Sequence, residues 1–346
     1  MKRTAVAAVL FELNEPLRLL ELEIPPLQAG QVLVRMVCSG VCHSQLLEVR
    51  GKRGPDRFLP HALGHEGVGT VTEVGPEVDK VKPGQRVVVS WIRGRGAEVP
   101  ATCYPSAAGA INSGAVATFM THTVTCESRV TPIPKRLPAM QAALLGCALP
   151  TGAGVVVNAE VQPGNSVAVF GVGGIGLSAI LAAAALGAVP VIAVDLVERK
   201  LEWAQRAGAT HVLNAAQCDP VEGIRGIVPG GVDYAFEAAG SSRAMEAAFA
   251  SVRDAGGRCL LAGNLPAGQR ISIDPFALIR GKRIEGTWGG ATQPDRDIPR
   301  YERMAASGKL RLDAFPTKTY RLEDVDLAFD DLERGLVGRA LLDLQS

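Results

Sequence analysis

Apolar and polar positions follow two different rhythms along this chain. Up to about residue 150, short β-branched runs alternate with Gly and Pro breaks, so 32–37, 67–74 and 86–90 read as strands and 5–11 as a first strand. Pro83 and Gly84 mark the turn before 86–90. This half predicts a twisted, largely antiparallel β domain with few helices. Near residue 153 the rhythm changes. Strands are predicted at 166–170, 190–194, 211–213, 232–236, 257–262 and 283–288, with helical patterns at 174–186, 197–207 and 241–253. Such alternation predicts an α/β unit with a parallel, doubly wound sheet. Gly187 and Gly208 fall where helix C-caps are expected. After about 290 the text turns polar and helical, punctuated by Pro294, Pro299 and Pro316, and is expected to return to the first domain. The expected division is 1–152 with 291–346, and 153–290 as an inserted α/β domain.

At 346 residues, two domains are the default. A net charge of +1 without long charged runs argues against nucleic acid or a membrane surface as main partner. Seven cysteines are an odd number in a large chain, which fits a reducing cytoplasm better than a disulfide framework. Cys38, Cys218 and Cys259 read as small buried apolar residues. Met1, Lys2 and Arg3 before an apolar run imitate a secretion signal, but Glu12 and Glu15 follow with no small-residue cleavage site. The Ala-rich run 177–186 is too short to span a bilayer and reads as a buried helix.

The pattern Gly171-x-Gly173-x-x-Gly176 follows an apolar strand and opens an Ala/Leu helix that includes Gly174 and Ile175. Gly171 permits the tight turn, Gly173 lets a pyrophosphate approach the backbone, and Gly176 lets helix and strand pack closely. The helix N-terminus offers unpaired N–H groups to the phosphates. Asp195 closes the next strand, where a carboxylate can accept from ribose hydroxyls; a 2′-phosphate there would meet like charge, which favours NAD over NADP. Arg199 and Lys200 lie close enough to temper that preference, and a helix-capping aspartate is the plainer alternative.

About a hundred residues upstream lie Cys42, His43 and Ser44, then Gly64, His65 and Glu66. A catalytic zinc takes three protein ligands and keeps one position open; Cys42, His65 and a later cysteine suffice, although spacing alone does not assign them. Thiolates with an imidazole disfavour Mg²⁺ or Ca²⁺. Together with Gly40 and Val41, the run Gly67, Val68 and Gly69, the pair Gly146 and Cys147, and Pro150, Thr151 and Gly152, the chain resembles the zinc-dependent medium-chain alcohol dehydrogenases. The resemblance extends over nearly the whole chain. It implies a GroES-like β-rich catalytic domain and a Rossmann domain, with the active site in the cleft between them.

By that resemblance Cys42, His65 and Cys147 bind the catalytic zinc, and Glu66 lies beside it as an occasional ligand. Ser44 matches the hydroxyl that hydrogen-bonds the substrate oxygen and passes on its proton. His43 matches a basic position beside the cofactor pyrophosphate, with Arg339 as its partner. Thr151 and Ile175 match residues that press on the nicotinamide, Lys200 one that reaches the adenosine ribose, and Trp91 one that lines the substrate pocket. His61 and His122 match nothing.

Three departures limit the carry-over. The segment after residue 90 has only Cys103 before Cys126, where many members cluster four cysteines around a structural zinc, so one zinc per chain is expected. Gln45 stands where an aspartate usually orients the zinc-bound histidine. Leu47 stands where several members place a histidine that carries the proton to water. The expected activity is oxidation of a small alcohol, or reduction of its carbonyl, with NAD and zinc. Reduction of a conjugated alkene or iminium is the competing chemistry, and a non-catalytic NAD-binding protein the competing class. Self-association into a dimer or tetramer is expected through the strand edge around 284–288. Arg93 and Arg95 read as a solvated loop rather than an anion site.

Overall fold

The computed structural model describes residues 3–345. The chain forms two compact units. The first runs to Cys147 and resumes at Gln293–Ala306 and from Thr317; the second comprises Ala148–Thr292 and Ser307–Pro316. The stretch Ser307–Pro316 therefore groups with the second unit, where the sequence suggested the first.

In the first unit, strands Thr4–Leu10, Arg18–Glu23, Cys103–Ser106, Gly109–Asn112 and His61–Ala62 close a small barrel around Leu22, Tyr104, Ile111 and Met120. A seven-stranded sheet runs Val130–Pro132, Arg86–Ser90, Glu66–Val74, Gln31–Val41, Arg339–Asp343, Thr317–Arg321, with His122–Cys126 also paired to Gln31–Val41. Gln31–Val41 is central and buried along nearly its whole length, which is why it reads as an apolar run and not as an alternation. The register decides which residues gather at one edge. Ser39 lies opposite Gly67, Leu341 opposite Gly40, and Glu66 opposite Ser90. Four adjacent strands thus begin or end together: Ser90 precedes Trp91, Glu66 follows His65, Val41 precedes Cys42, and Arg339 opens its strand.

The second unit is a six-stranded parallel sheet in the order His211–Asn214, Val191–Asp195, Val167–Phe170, Tyr234–Glu237, Arg258–Leu261, Arg283–Gly286. That order, with the first strand in the middle, is the doubly wound dinucleotide-binding topology. Each strand and helix expected after residue 160 is present with shifted ends. Helices Pro220–Ile227 and Ala148–Asn158 were not expected. The first is capped by Asp219, which accepts from the N–H groups of Val221 and Glu222, with Pro220 at the first helical position. The second is buried along nearly its full length and so carries no polar stripe for periodicity to detect. Cys218 is exposed, against the expectation of a buried thiol, whereas Cys38 and Cys259 are buried. Among the described residues no single helix is long and apolar enough to cross a membrane.

The loop after Ser90 is held by a carboxylate. Glu127 is buried and accepts from the backbone N–H groups of Asp79 (2.8 Å), Lys80 (2.7 Å) and Ala97 (3.0 Å). Gly96 sits at φ +107°, and a Cβ there would lie 2.6 Å from Glu127 Oε2, so both conformation and space require glycine. Asp295 adds a second tie: its carboxylate meets Lys80 Nζ at 2.6 Å and the Arg95 N–H at 2.6 Å. Arg95 itself points outward, its side chain 89% exposed. Cys126 exchanges hydrogen bonds with the Val99 backbone, and Cys103 is exposed.

Burial alone would raise the Glu127 pKa; the N–H donors of Lys80, Ala97 and Asp79, with the Lys80 charge, outweigh it and hold the carboxyl below its ordinary value. A depressed folded pKa contributes stability that is complete above the unfolded value and lost as pH falls through the folded one. Glu127→Gln should therefore cost about 1–3 kcal/mol at neutral pH, because one donor faces an amide NH₂. The deficit should shrink as pH falls below about 4.3, where the unfolded chain takes up a proton that the native carboxylate still resists. Urea unfolding of both proteins between pH 3 and 7 checks this; parallel stability profiles would refute it.

Candidate metal and nucleotide sites

At the shared strand edge, Cys42, His65 and Cys147 each offer one ligand atom, all within 4.8 Å of one another. Cys42 leaves the central strand and precedes helix His43–Val49. His65 enters the neighbouring strand. Cys147 follows the short 3₁₀ turn Leu144–Gly146, which is tied to the same edge by Ser90 Oγ donating to the Gly146 carbonyl at 2.6 Å. Both thiols are buried, and His65 Nε2 lies 3.3 Å from Cys147 Sγ. The Trp91 indole N–H donates to the same sulfur at 3.2 Å, and its ring meets His65 edge-on with centroids 6.4 Å apart.

Glu66 sits behind this group with no solvent exposure, its carboxylate paired with the equally buried Arg339 through Nε at 2.6 Å and through the terminal guanidinium nitrogen. Two glycines make room for it. A Cβ on Gly40 would fall 1.9 Å from Glu66 Oε1, and one on Gly146 would fall 2.7 Å from Glu66 Cβ. Burial pushes the Glu66 carboxyl up, against the pull of Arg339. Burial also opposes the Arg339 charge, but Glu66 and Cys42 more than offset it, and the guanidinium stays charged. Cys42 is held well below the ordinary thiol range, first by the Cys147 S–H and then by Arg339 and His65; Cys147 is correspondingly raised.

A soft divalent ion fits this donor set. With both cysteines as thiolates, the Glu66–Arg339 pair is neutral and two buried negative charges remain, which a dication balances with imidazole as third ligand. Glu66 is not part of the three-ligand group, its carboxylate being engaged by Arg339.

In the second unit, Gly173 is the N-cap of helix Gly174–Ala185, and the space where its Cβ would stand is empty to 4 Å. Gly171 has φ +88° and abuts Ala239, while a Cβ on Gly176 would strike the Gly171 carbonyl at 1.8 Å. Asp195 Oδ2 accepts from the Val172 N–H at 2.7 Å, and Oδ1 from those of Leu196 and Val197. Lys200 Nζ stands 4.0 Å from it. Thr151 is buried with its hydroxyl unpartnered, an orphan that a ligand group satisfies. Ile175 is half-buried on the first turn of its helix. An open glycine cap, an acid at the end of the second strand and an unsatisfied hydroxyl fit a dinucleotide.

Comparison with known proteins bears on both units. Residues 28–135 match the family described as "Alcohol dehydrogenase GroES-like domain" and residues 174–307 "Zinc-binding dehydrogenase". An S-(hydroxymethyl)glutathione dehydrogenase of Synechocystis is 34% identical over 97% of this chain and 98% of its own length. The chain belongs to the zinc-binding alcohol dehydrogenases. A relative of the same name in Paracoccus denitrificans is 31% identical over 95% of this chain and 96% of its own. Two solved structures cover the chain: an alcohol dehydrogenase zinc-binding domain protein of Burkholderia ambifaria (30% identity, 100% of both chains, TM-score 0.92) and the benzyl alcohol dehydrogenase of Acinetobacter calcoaceticus (31%, 99% of both, TM-score 0.90). The chain is thus an enzyme, a zinc-dependent oxidoreductase that moves a hydride between an alcohol, or its aldehyde or ketone, and a pyridine nucleotide.

Within this dehydrogenase several of the expected site residues make further contacts. Arg339, expected at the cofactor pyrophosphate, is buried against Glu66 with its side chain 4% exposed. Gln45, which stands where the family usually has an aspartate, accepts the Cys42 N–H at 3.0 Å and so shapes the chain at the ligand. Trp91, expected as pocket lining, touches two of the three ligand side chains. His43 is exposed and Ser44 half-buried at the start of their helix. His61, unassigned from sequence, joins Glu48 and Asp56 in a second cluster with no motif to announce it.

Replacing Arg339 by Met leaves Glu66 and the thiols without their compensating charge. Breaking a buried pair in this way costs about 3–5 kcal/mol, so chemical denaturation should show a large loss for Arg339→Met and a smaller one for Arg339→Met combined with Glu66→Gln. Equal losses would refute the pairing.

Proposed function

We propose that Cys42, His65 and Cys147 hold the single zinc of this alcohol dehydrogenase, that NAD is its nucleotide, and that its substrate is a small alcohol or the corresponding carbonyl. The convergence of two buried thiols and an imidazole within 4.8 Å carries the reading. When bound, zinc lowers the pKa of an alcohol oxygen and polarises a carbonyl. The chain's own residues do the rest. Gln45 and the Glu66–Arg339 pair fix the ligand-bearing segments, and the Trp91 N–H on Cys147 withdraws charge from one thiolate, which sharpens Lewis acidity. Ser44, at the start of the helix that Cys42 precedes, is the hydroxyl that takes up the substrate proton. Gly173 and the helix behind it receive the pyrophosphate, with His43 as a further basic group, and Thr151 and Ile175 meet the nicotinamide. Glu66 holds Arg339 rather than the metal.

Support for one zinc comes from the loop after Ser90, where Glu127 and Asp295 provide the ties that four thiols would otherwise supply. Support for NAD comes from Asp195, whose charge opposes a 2′-phosphate, an opposition that Lys200 at 4.0 Å tempers. Association into a dimer or tetramer is supported by the open edge at Arg283–Gly286, near which Ile279 and Trp288 are 77% and 76% exposed. A reducing compartment such as the cytoplasm accords with seven free thiols.

Cys147→Ala should abolish alcohol-dependent NADH formation and reduce zinc content toward zero while NADH still binds, measured by metal analysis and by fluorescence quenching. Zinc-free protein with full turnover would end the proposal. Asp195→Ser should improve NADP use over NAD by about tenfold or more in kcat/KM, since it removes a like charge worth about 1.4 kcal/mol or more; an unchanged ratio would count against the assigned role.

A further inference from the structure

Net oxidation of an alcohol by a nicotinamide transfers two electrons and a hydrogen as hydride and leaves over the hydroxyl proton, which must reach water from a buried site. Leu47 carries no proton. Glu48, the next residue, lies four positions after Ser44 on helix His43–Val49, so their Cβ atoms are neighbours about 5–6 Å apart on one helix face. Its carboxylate stands 3.7 Å from His61 Nε2, and that nitrogen is hydrogen-bonded to Asp56 Oδ2 at 2.8 Å. His61 and Asp56 side chains are 9% and 8% exposed, whereas Glu48 is 25% exposed and reaches Arg53 at 3.7 Å. We propose that Glu48, oriented by His61 and Asp56, receives the proton from Ser44 and delivers it to solvent, replacing the exit that Leu47 closes.

This role for Glu48 presupposes the alcohol dehydrogenase reading. The balance is simple: the Ser44 hydroxyl accepts the substrate proton as it donates its own toward the Glu48 carboxylate, directly or through one water, and the resulting carboxylic acid releases it to bulk water. Burial raises the Glu48 carboxyl above its ordinary value, while His61 and Arg53, and more weakly His65, pull it down and Asp56 pushes it up. A carboxyl so poised accepts a proton more readily than an ordinary surface glutamate. Helix Val325–Glu333, packed on the same helix, directs Asp330 and Glu333 to Arg50 instead, so they do not compete for this carboxylate. Asp56 meets the same Nε2 that Glu48 approaches and so holds the imidazole beside Glu48, a positioning role.

Stopped-flow oxidation of a primary alcohol by the zinc-loaded enzyme tests this, with NADH absorbance and a pH-indicator dye followed together. In the unaltered protein, proton and NADH should appear in step. In Glu48→Gln, proton release should lag NADH, and kcat should fall by about 10–100-fold, at or below the range for a positioned base. The rate of that variant should also rise with buffer concentration, which a merely structural defect would not produce, and Glu48→Asp should recover part of it. His61→Asn should show the same lag in milder form. In-step release and buffer-independent rates in Glu48→Gln, with zinc content and melting unchanged, would overturn the proposal while leaving the enzyme reading intact. Loss of a second zinc equivalent on His61→Asn would also overturn it, since the cluster would then be a metal site. An unaltered protein that forms no NADH from any alcohol would instead defeat the underlying reading.

Discussion

The buried pairing of Glu66 with Arg339 is the interaction on which the metal site depends. Glu66 touches every segment that carries a ligand. It follows His65 in the chain, its carboxylate occupies the space above Gly40 two residues before Cys42, and its Cβ fills the space above Gly146 just before Cys147. Its carbonyl accepts from Ser39 and Thr118 hydroxyls, which anchors its backbone to the central strand and to the segment before Phe119. A carboxylate with no exposure survives only where an opposite charge meets it, and Arg339 reaches it because the last strand of the chain pairs with Gln31–Val41. One residue thereby converts sheet register into ligand geometry. A slip of one position in that pairing would move Arg339 off the edge and leave a charge stranded.

Charge balance explains more than stability. Two thiols and a carboxylate in one buried volume repel when ionised, and a protein without compensation would keep them protonated. Arg339 faces both the carboxylate and the thiols, and after the Cys147 S–H it is the charge that most favours ionised Cys42. The same balance is visible at the loop after Ser90. There Glu127 gathers three N–H groups and Asp295 joins Lys80, and this rigidity comes from carboxylates that need no cofactor.

The second unit was legible in sequence because each of its signals is local. Strand, glycine turn, helix and closing acid fall within one stretch, and hydrophobic periodicity marks the boundaries. The three ligand residues were legible only as motifs, through resemblance. Their support was not. Glu66 and Arg339 are 273 positions apart, Glu127 reaches back to Asp79, and Asp295 reaches Lys80 across some two hundred residues. No period or spacing encodes such pairs; they exist because antiparallel neighbours bring distant strand ends together. Helix Ala148–Asn158 escaped for the opposite reason, since burial on all sides removes the polar positions that reveal a helix. Trp91 was assigned from a position in the family's pattern, yet the indole N–H decides its contact, and a pattern of side-chain sizes does not show which sulfur a donor will reach.

The two units solve a common problem in the same way. A strand that ends at a functional edge leaves backbone N–H groups without partners, and the following turn must be held without filling the site. In the parallel sheet, the strand that leads into Gly171 is flanked by two strands ending in acids, Asp195 on one side and Glu237 on the other. Asp195 takes the Val172 N–H, and Glu237 takes those of Ala239 and Gly240, the segment against which Gly171 packs. The glycine turn is therefore braced from both neighbours by carboxylates that lie beneath it, and the N-terminus of helix Gly174–Ala185 stays clear. Burial raises the Glu237 carboxyl, opposed by its backbone donors.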